Sequence, residues 1–497
     1  MSNLLSNIDM IYPPRYGPEW GSGGIFGLKY YRGTLYFTLA FEAIAHFVRD
    51  DGIRIYRYEY VGPLPTSGGD TYNAVDTVDD EIFFGGWVHA PAIYSGRRDG
   101  RRATISFTNK YSHVHKYNIS EDSITLLWKE GLHHETDWVG EVSEIVYDPI
   151  NDRLLLARAD GMKNLGVYQI DRKGGNYKQL SSIPAMKGSL FYDHVCFDMF
   201  PDWINGVNGI QCIDLIENRV RYIEFGDVSK MSVDGGGVEW RLTGASISAY
   251  GRFFLFVRGG IFIGNPIDEG IEPIRFVRLF DFGLSGYNAR RTMAKPFGGG
   301  ILIPYNAYTE AIIYPTNEVE EKLKLATNTI VGPSILLYIS PPIAKIIGVF
   351  GARITGIEVI DNKLLLAVNT MANTGRYDAL PIDAGFRGFL TLNHDVINRD
   401  PPSIRFKILG VQVGNRVFGG IPLTGYREPI LKIYAKKGNK LYIYEYDLSL
   451  PLDESRIDSY NISAGRNVIE LNGYRNSIVA FKLHDEDSSS RIIIDLL

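Results

Sequence analysis

The side chains best suited to chemistry crowd into 132–148, LHHETDWVGEVSEIVYD, where two adjacent histidines and five carboxylates surround a tryptophan. Neutral imidazoles and carboxylates are ligands for divalent first-row metals, and a metal with an open position acidifies water or polarises an oxygen. A histidine beside a carboxylate also serves as a general base, because its pKa lies near neutral pH. His134, Asp137 and Glu141 are the candidate acid/base residues here, and His133 is a candidate metal ligand. If 133–134 is extended, adjacent side chains point to opposite faces, so only one of the two imidazoles reaches a given ion. Neither HExxH nor zinc-type Cys/His spacing occurs in the chain. The competing reading is a solvated loop whose carboxylates pair with Arg153 and Arg158.

Such residues need a scaffold that gathers separate segments, and the chain supplies a repeating one. A β-type run, a tight polar turn and a second apolar run recur at 28–41, 75–89, 144–160, 248–260, 357–370 and 471–484. The turns use Arg32-Gly33, Asp79-Asp80, Asn151-Asp152, Tyr250-Gly251, Asp361-Asn362 and Arg475-Asn476. Gly, Asn and Asp suit a reversing chain because they tolerate positive φ or cap their own backbone. The flanking runs, rich in Val, Ile, Leu, Phe and Tyr, have strand rather than helix length. Phe-Gly-Gly recurs at 84–86, 297–299 and 418–420, which predicts equivalent positions where strands crowd one another. Only 316–328, TNEVEEKLKLATN, reads as a helix, with Glu–Lys spacing suited to i,i+4 pairs.

Many short strands with weak self-similarity predict an all-β protein built as a single β-propeller over 1–497. A four-stranded blade cannot bury both faces alone, so blades stack radially until the ring closes; the hairpin count supports seven to nine blades, with seven expected and eight as the alternative count. Closure is expected from pairing of the N-terminal segment 4–12 with C-terminal strands near 467–472, 476–482 and 491–496. A pair of β-sandwiches is the structural alternative. The run 133–171, with the repeated hairpins, resembles an archaeal domain-of-unknown-function family that is propeller-like. That resemblance extends over nearly the whole chain; it implies a propeller and an archaeal source, and no reaction.

Alternating strand direction then places the polar groups. The loop entering the first strand of a blade and the loop leaving the second open on the same face. His89, His133, His134, Asp137, Glu141, Asp160 and His484 are thereby expected on one face. His194, in SLFYDHVCFD, reads as facing the channel from an inner strand, so His89, His133 and His194 are the candidate ligands of one divalent metal. Trp87 and Trp138 are candidate stacking platforms for a sugar ring. His113 and His115, two residues apart on a strand, share a face and form a weaker metal clip.

Bulk properties bound the partners. A formal charge of −5 and 22% charged residues give no reason to expect nucleic acid or an anionic membrane, despite Arg97, Arg98, Arg101 and Arg102 in one loop. The two cysteines are too few for a disulfide scaffold and predict buried free thiols, or one bridge in a hyperthermophile. Scarce glutamine hints at a thermophile. The first sixteen residues lack the features of a secretion signal, and no apolar run is long enough to span a bilayer, so a cytoplasmic, soluble protein is expected. The function expected is a carbohydrate-like small-molecule binder, or a metal-assisted hydrolase or lyase, with its site at one mouth of the channel. The alternative is a non-catalytic scaffold for protein partners or self-assembly.

Overall fold

The computed structural model describes residues 4–12, 24–40, 42–95, 104–105, 108–132, 138–283, 287–307, 331–370 and 386–497. Five of the six hairpins form where the turn residues predict them. Arg32 and Gly33 reverse the chain at φ 46° and 76°, so that Tyr31 pairs with Thr34. The same holds for Val78 with Glu81, Asp148 with Arg153, Ala249 with Arg252 and Ile360 with Lys363. The second strands of these hairpins, such as Thr34–Leu39, Arg153–Ala159 and Arg252–Val257, are buried throughout. A strand packed on both faces has no solvent side to alternate with, which is why FFLFV and LLLARA read as continuous apolar runs.

Seven antiparallel sheets succeed one another in chain order, over 25–57, 67–131, 141–181, 188–224, 243–278, 295–350 and 353–393. Most have four strands laid side by side in sequence order, the arrangement of propeller blades. The second adds a short extra strand, Ser67–Gly69, and the seventh has three among the described residues. First strands of successive sheets are neighbours: Val75–Val78 meets Glu141–Asp148, which meets Gly188–Phe191, which meets Thr243–Ala249. The first strand of the first sheet, Ile25–Tyr31, packs against that of the seventh, Arg353–Ile360. Thr355 Oγ1 donates to Ile25 O at 2.7 Å and Tyr30 N donates to Glu358 Oε2 at 2.9 Å across this junction.

The chain ends differ from the expected closure. The N-terminal segment pairs with the outer edge of the seventh sheet, where Phe389 N donates to Met10 O and Tyr12 N to Arg387 O, both at 3.0 Å. Residues 404–497 form no blade. They build two four-stranded sheets, one containing Ile404–Leu409, Arg491–Leu496, Ile430–Ala435 and Gly465–Glu470. The other contains Phe418–Pro422, Ile478–Leu483, Asn439–Tyr446 and Arg456–Ile462. Their alternate residues, among them Phe406, Ile433, Ile494, Ile443 and Phe481, share one core with apolar residues of the fifth and sixth sheets. The sixth predicted hairpin, 471–484, is absent because Asn472–Tyr474 is a 3-10 turn and Ile478–Leu483 pairs with distant strands. The strict alternation of 404–409, buried at every second residue, is the sandwich signature that distinguishes this region from the blades.

The three Phe-Gly-Gly repeats are not equivalent. At Gly86 an added Cβ would meet Asp70 Cα at 2.9 Å, so this glycine permits a close approach. Gly298 and Gly299 form a hairpin turn at φ 55° and 79°, and Gly419 sits at a bulge in the sandwich. Cys196 and Cys212 lie directly opposite on paired strands and form a disulfide rather than the free thiols the composition predicts. The expected helix 316–328 and the arginine loop 97–102 lie outside the described residues. Among the described residues no helix is long and apolar enough to cross a membrane.

Candidate functional site

The strand Glu81–His89 runs toward one face of the molecule and the strand Glu141–Asp148 starts from it, so His89 and Glu141 sit at the same end. The third strand of the second sheet also starts there, and its first residue, Lys110, pairs directly with His89. Lys110 Nζ forms a buried ion pair with Glu141 and donates to Asp160 O at 3.3 Å. Its ammonium lies 5.6 Å from the ring centres of both Trp87 and Trp138. Trp138 Nε1 in turn donates to Asp160 O at 3.1 Å.

Asp160 follows the second strand of the third sheet and takes φ 52°. The Tyr72 hydroxyl donates to its Oδ2 at 2.6 Å, and Trp203 Nε1 donates to its Oδ1 at 2.9 Å. Arg291 Nη2 donates to the Tyr72 hydroxyl at 3.0 Å, and the Arg290 guanidinium stacks 3.9 Å from the centre of Trp203. Segments of the second, third and fourth sheets and the lead-in to the sixth thus meet around two carboxylates, and three tryptophans and a tyrosine form the wall.

The carboxylates are driven apart in pKa. Burial pushes Glu141 up to about 7, with Asp160 adding to the effect and Lys110 opposing it. Glu141 Oε2 is buried and has no hydrogen-bond partner. Burial also acts upward on Asp160, but Lys110, the Tyr72 hydroxyl, Arg291 and Trp203 together reverse it and hold the group below the usual carboxylate range. Two neighbouring carboxyls whose surroundings push their pKa values apart are the arrangement from which acid and base roles are divided.

His133, His134 and Asp137 lie outside the described residues. Glu141, His89, Trp87, Trp138 and Asp160 are brought together. His484 is not: it lies exposed on the sandwich beside Tyr442. His194 is not either. It is the first residue of a second strand, so it stands at the opposite end from His89, where it meets Asp193 at 2.7 Å and Asp214 at 3.9 Å. His89 and His194 therefore cannot hold one ion. His89 is also pushed down to about 3, by burial first and then by Lys110, whose positive charge disfavours a second cation alongside. Among the described residues no group of three or more His, Cys, Asp or Glu is placed to hold a metal. His113 and His115 do share a face, with Nδ1 atoms 3.0 Å apart, but are packed among Tyr56, Tyr58 and Phe84 in the core.

Lys110, Tyr72, Arg290 and Arg291 were not singled out from sequence. The rule of alternating strand direction reaches Lys110, since the loop leaving a second strand also enters the third. Arg290-Arg291, just ahead of the inner strand Lys295–Phe297, are reachable in the same way.

Residues 35–377 match a family described as an uncharacterized protein conserved in archaea, DUF2139. The chain belongs to this family. The match covers the larger part of the seven sheets and stops before the sandwich, so it is shorter than the nearly whole-chain extent expected. Comparison with curated proteins finds no significant match. Among solved structures, an exo-β-1,3-galactanase from Phanerochaete chrysosporium is similar at 9% identity and TM-score 0.28, over 85% of this chain and 94% of its own. A glycoside hydrolase family 43 arabinoxylan arabinofuranohydrolase from Bacillus subtilis gives 12% and 0.31 over 85% and 94%. A luciferin-regenerating enzyme gives 12% and 0.31 over 58% of this chain and 85% of its own. Likenesses this distant assign neither site nor reaction to the DUF2139 chain.

Proposed function

We propose that this DUF2139 protein binds a small carbohydrate-like molecule at the face where Glu141, Asp160 and the three tryptophans converge, and cleaves a bond in it by acid/base chemistry. One observation carries the reading: two adjacent buried carboxyls inside an aromatic wall are pushed in opposite directions in pKa by the groups around them, with Trp203 and Tyr72 hydrogen-bonded to Asp160 and Lys110 paired with Glu141. Tryptophan faces suit the C–H faces of a sugar ring, and the carboxyls suit its hydroxyls. Glu141, part protonated near neutral pH and with Oε2 free of protein partners, donates a proton to the departing oxygen. Asp160, kept ionised by Tyr72 and Trp203, stabilises positive charge that develops on the ring. Hydrolysis uses these two roles, with a water adding to the ring carbon as the departing oxygen leaves with the proton from Glu141. His134 and Asp137 precede Glu141 in sequence and lie outside the described residues. No divalent metal is proposed between Glu141 and Asp160, because Lys110 already lies between Glu141 and the Asp160 carbonyl.

The seven sheets are proposed as seven blades of one closed ring, supported by the junction of Ile25–Tyr31 with Arg353–Ile360. The ring is what brings separate segments to one mouth.

A screen of oligosaccharides for binding and cleavage, repeated on Glu141→Gln and Trp138→Ala, tests the reading. Glu141→Gln is expected to bind without turnover, and Trp138→Ala to bind weakly. Full turnover by Glu141→Gln, or no carbohydrate bound by the parent, sinks it. Metal analysis of untagged protein decides the role of an ion.

A further inference from the structure

Arg290, in the turn ahead of the inner strand Lys295–Phe297, is only 6% exposed. Its guanidinium stacks on Trp203, and its positive charge reaches the Tyr72 hydroxyl. These are the two residues that donate to the Asp160 carboxylate. The other cations of this face have partners: Lys110 is paired with Glu141, and Arg291 donates to Tyr72. Among the described residues, no carboxylate pairs with Arg290 and no oxygen accepts from its guanidinium. A charge taken out of water is costly unless it is paired and hydrogen-bonded. A guanidinium left in this state marks a place where the acceptor arrives from outside.

The open edge of the side chain selects that acceptor. Stacking uses the flat face of a guanidinium and leaves the N–H bonds, which lie in its plane, to other partners. Nε of Arg290 is closed off without a partner. Nη1 and Nη2 are neither hydrogen-bonded nor closed off, so the end of the fork is what a ligand can reach. Two parallel N–H bonds from such an end match two oxygens of one oxyanion. The carboxylates already present do not fill this role. Both Asp160 oxygens accept from Tyr72 and Trp203, and Glu141 is held by Lys110. Their charge repels an oxyanion lying between them, which leaves the Arg290 end of the face as the place for one.

We propose that the molecule bound at this face is an acidic saccharide, whose oxyanion, a carboxylate or a sulfate ester, is received by Arg290. The inference rests on the carbohydrate reading above and narrows its substrate class. The probes are D-galacturonate, its methyl ester, D-galactose 6-sulfate and D-galactose, titrated calorimetrically into the full chain at neutral pH and low salt. D-galacturonate or the sulfate is expected to bind about tenfold more tightly than D-galactose, with the methyl ester at the level of D-galactose. Which of the two acids binds names the oxyanion. Arg290→Gln is expected to abolish the preference and Arg290→Lys to keep part of it, a pattern that a merely structural role would not produce. Thermal unfolding of both variants is the folding control; each should stay close to the parent, because no ion pair or hydrogen bond of the guanidinium is lost. Equal affinity for acidic and neutral sugars overturns the inference and leaves the carbohydrate site standing, as does a preference that survives in Arg290→Gln. Binding of none of the four probes overturns the inference and the carbohydrate reading together.

Discussion

Lys110 and Glu141 form an ion pair in which each side chain is only 5% exposed. Both charges were taken out of water, and the ionised Asp160 beside Lys110 and Arg291 near Glu141 add to the charges acting on the pair. Breaking such a pair on one side is costly, while replacing both members by apolar groups is often neutral. Lys110→Met is therefore expected to destabilise the protein by about 3 kcal/mol and to push Glu141 further up. Lys110→Met with Glu141→Leu should regain most of that loss. Urea unfolding of the two single variants and the double variant gives the coupling. Additive losses would mean that the pair contributes nothing as a pair.

Stability should depend on pH in a way set by two opposing groups of buried residues. Glu141 and Glu144 have folded pKa values of about 7 and about 8, and Asp70 and Asp198 of about 6, all raised mainly by burial. A raised carboxyl keeps its proton in the folded state while the unfolded chain loses it, so stability falls as pH rises toward the folded value. His46, His89 and His113 are pushed down to about 4, about 3 and about 3 by burial, and His115 falls well below its ordinary value. The unfolded chain gains those protons first, so stability is lost as pH falls below the ordinary histidine value of about 6.5. The two effects compete below that value, and above it only the glutamates still act. The stability maximum is expected near pH 6, with a decline to about pH 8 that Glu144→Gln reduces. Thermal unfolding across pH measures this; an unchanged decline in Glu144→Gln would assign it elsewhere.

The convergence of Glu141, His89 and Asp160 was legible because it needs only two facts, strand alternation and the position of turns. Asp152 and Gly33 announce their reversals in residue type, so the strand ends could be located. His194 was misplaced by a single strand: Tyr192-Asp193 is a turn, with Tyr192 at φ 53°, and its one aspartate is a weaker signal than the Asp-Asp, Asn-Asp and Asp-Asn pairs at other turns. One strand of error moves a side chain to the opposite face. The sandwich was missed for a different reason. Ile478–Leu483 and Arg491–Leu496 look like blade strands locally, and only their long-range partners, Phe418–Pro422 and Ile404–Leu409, reveal otherwise. The pairing of Lys187 with Glu144 was not legible because a lysine just ahead of an inner strand becomes notable only when its three acceptors, Glu144 Oε2, Ser143 O and Tyr72 O, are known.

Asn73 joins three sheets from a single left-handed position. At φ 60° it accepts from Gly27 N at 2.7 Å and donates to Thr292 O at 3.1 Å and Thr355 O at 3.2 Å, all buried. Asn73→Ala removes those bonds and places a Cβ residue where asparagine is better tolerated, so a loss of about 3 kcal/mol is expected. Asn73→Gly loses the same bonds without backbone strain and should cost about 1 kcal/mol less than alanine. Denaturant midpoints of the two variants separate the terms. Identical values would show that the side-chain bonds account for the whole effect.

Cys196 and Cys212 are paired residues of neighbouring strands with Cα atoms 4.0 Å apart, and a bridge between them closes a loop with a sequence separation of 16. Closing a loop of that size restricts the unfolded chain by roughly 3 kcal/mol on the chain-entropy account. Both residues are fully buried, so the bridge is shielded from exchange with small thiols while the fourth sheet is intact. Alkylation in denaturant without reductant should therefore label neither cysteine, and prior reduction should expose both. Cys196→Ala with Cys212→Ala is expected to lower stability by roughly 3 kcal/mol, and adding reductant to the unfolding assay should lower the parent to match. Labelling of both thiols in unreduced, denatured protein would return these residues to the free buried pair that their number and spacing first suggested.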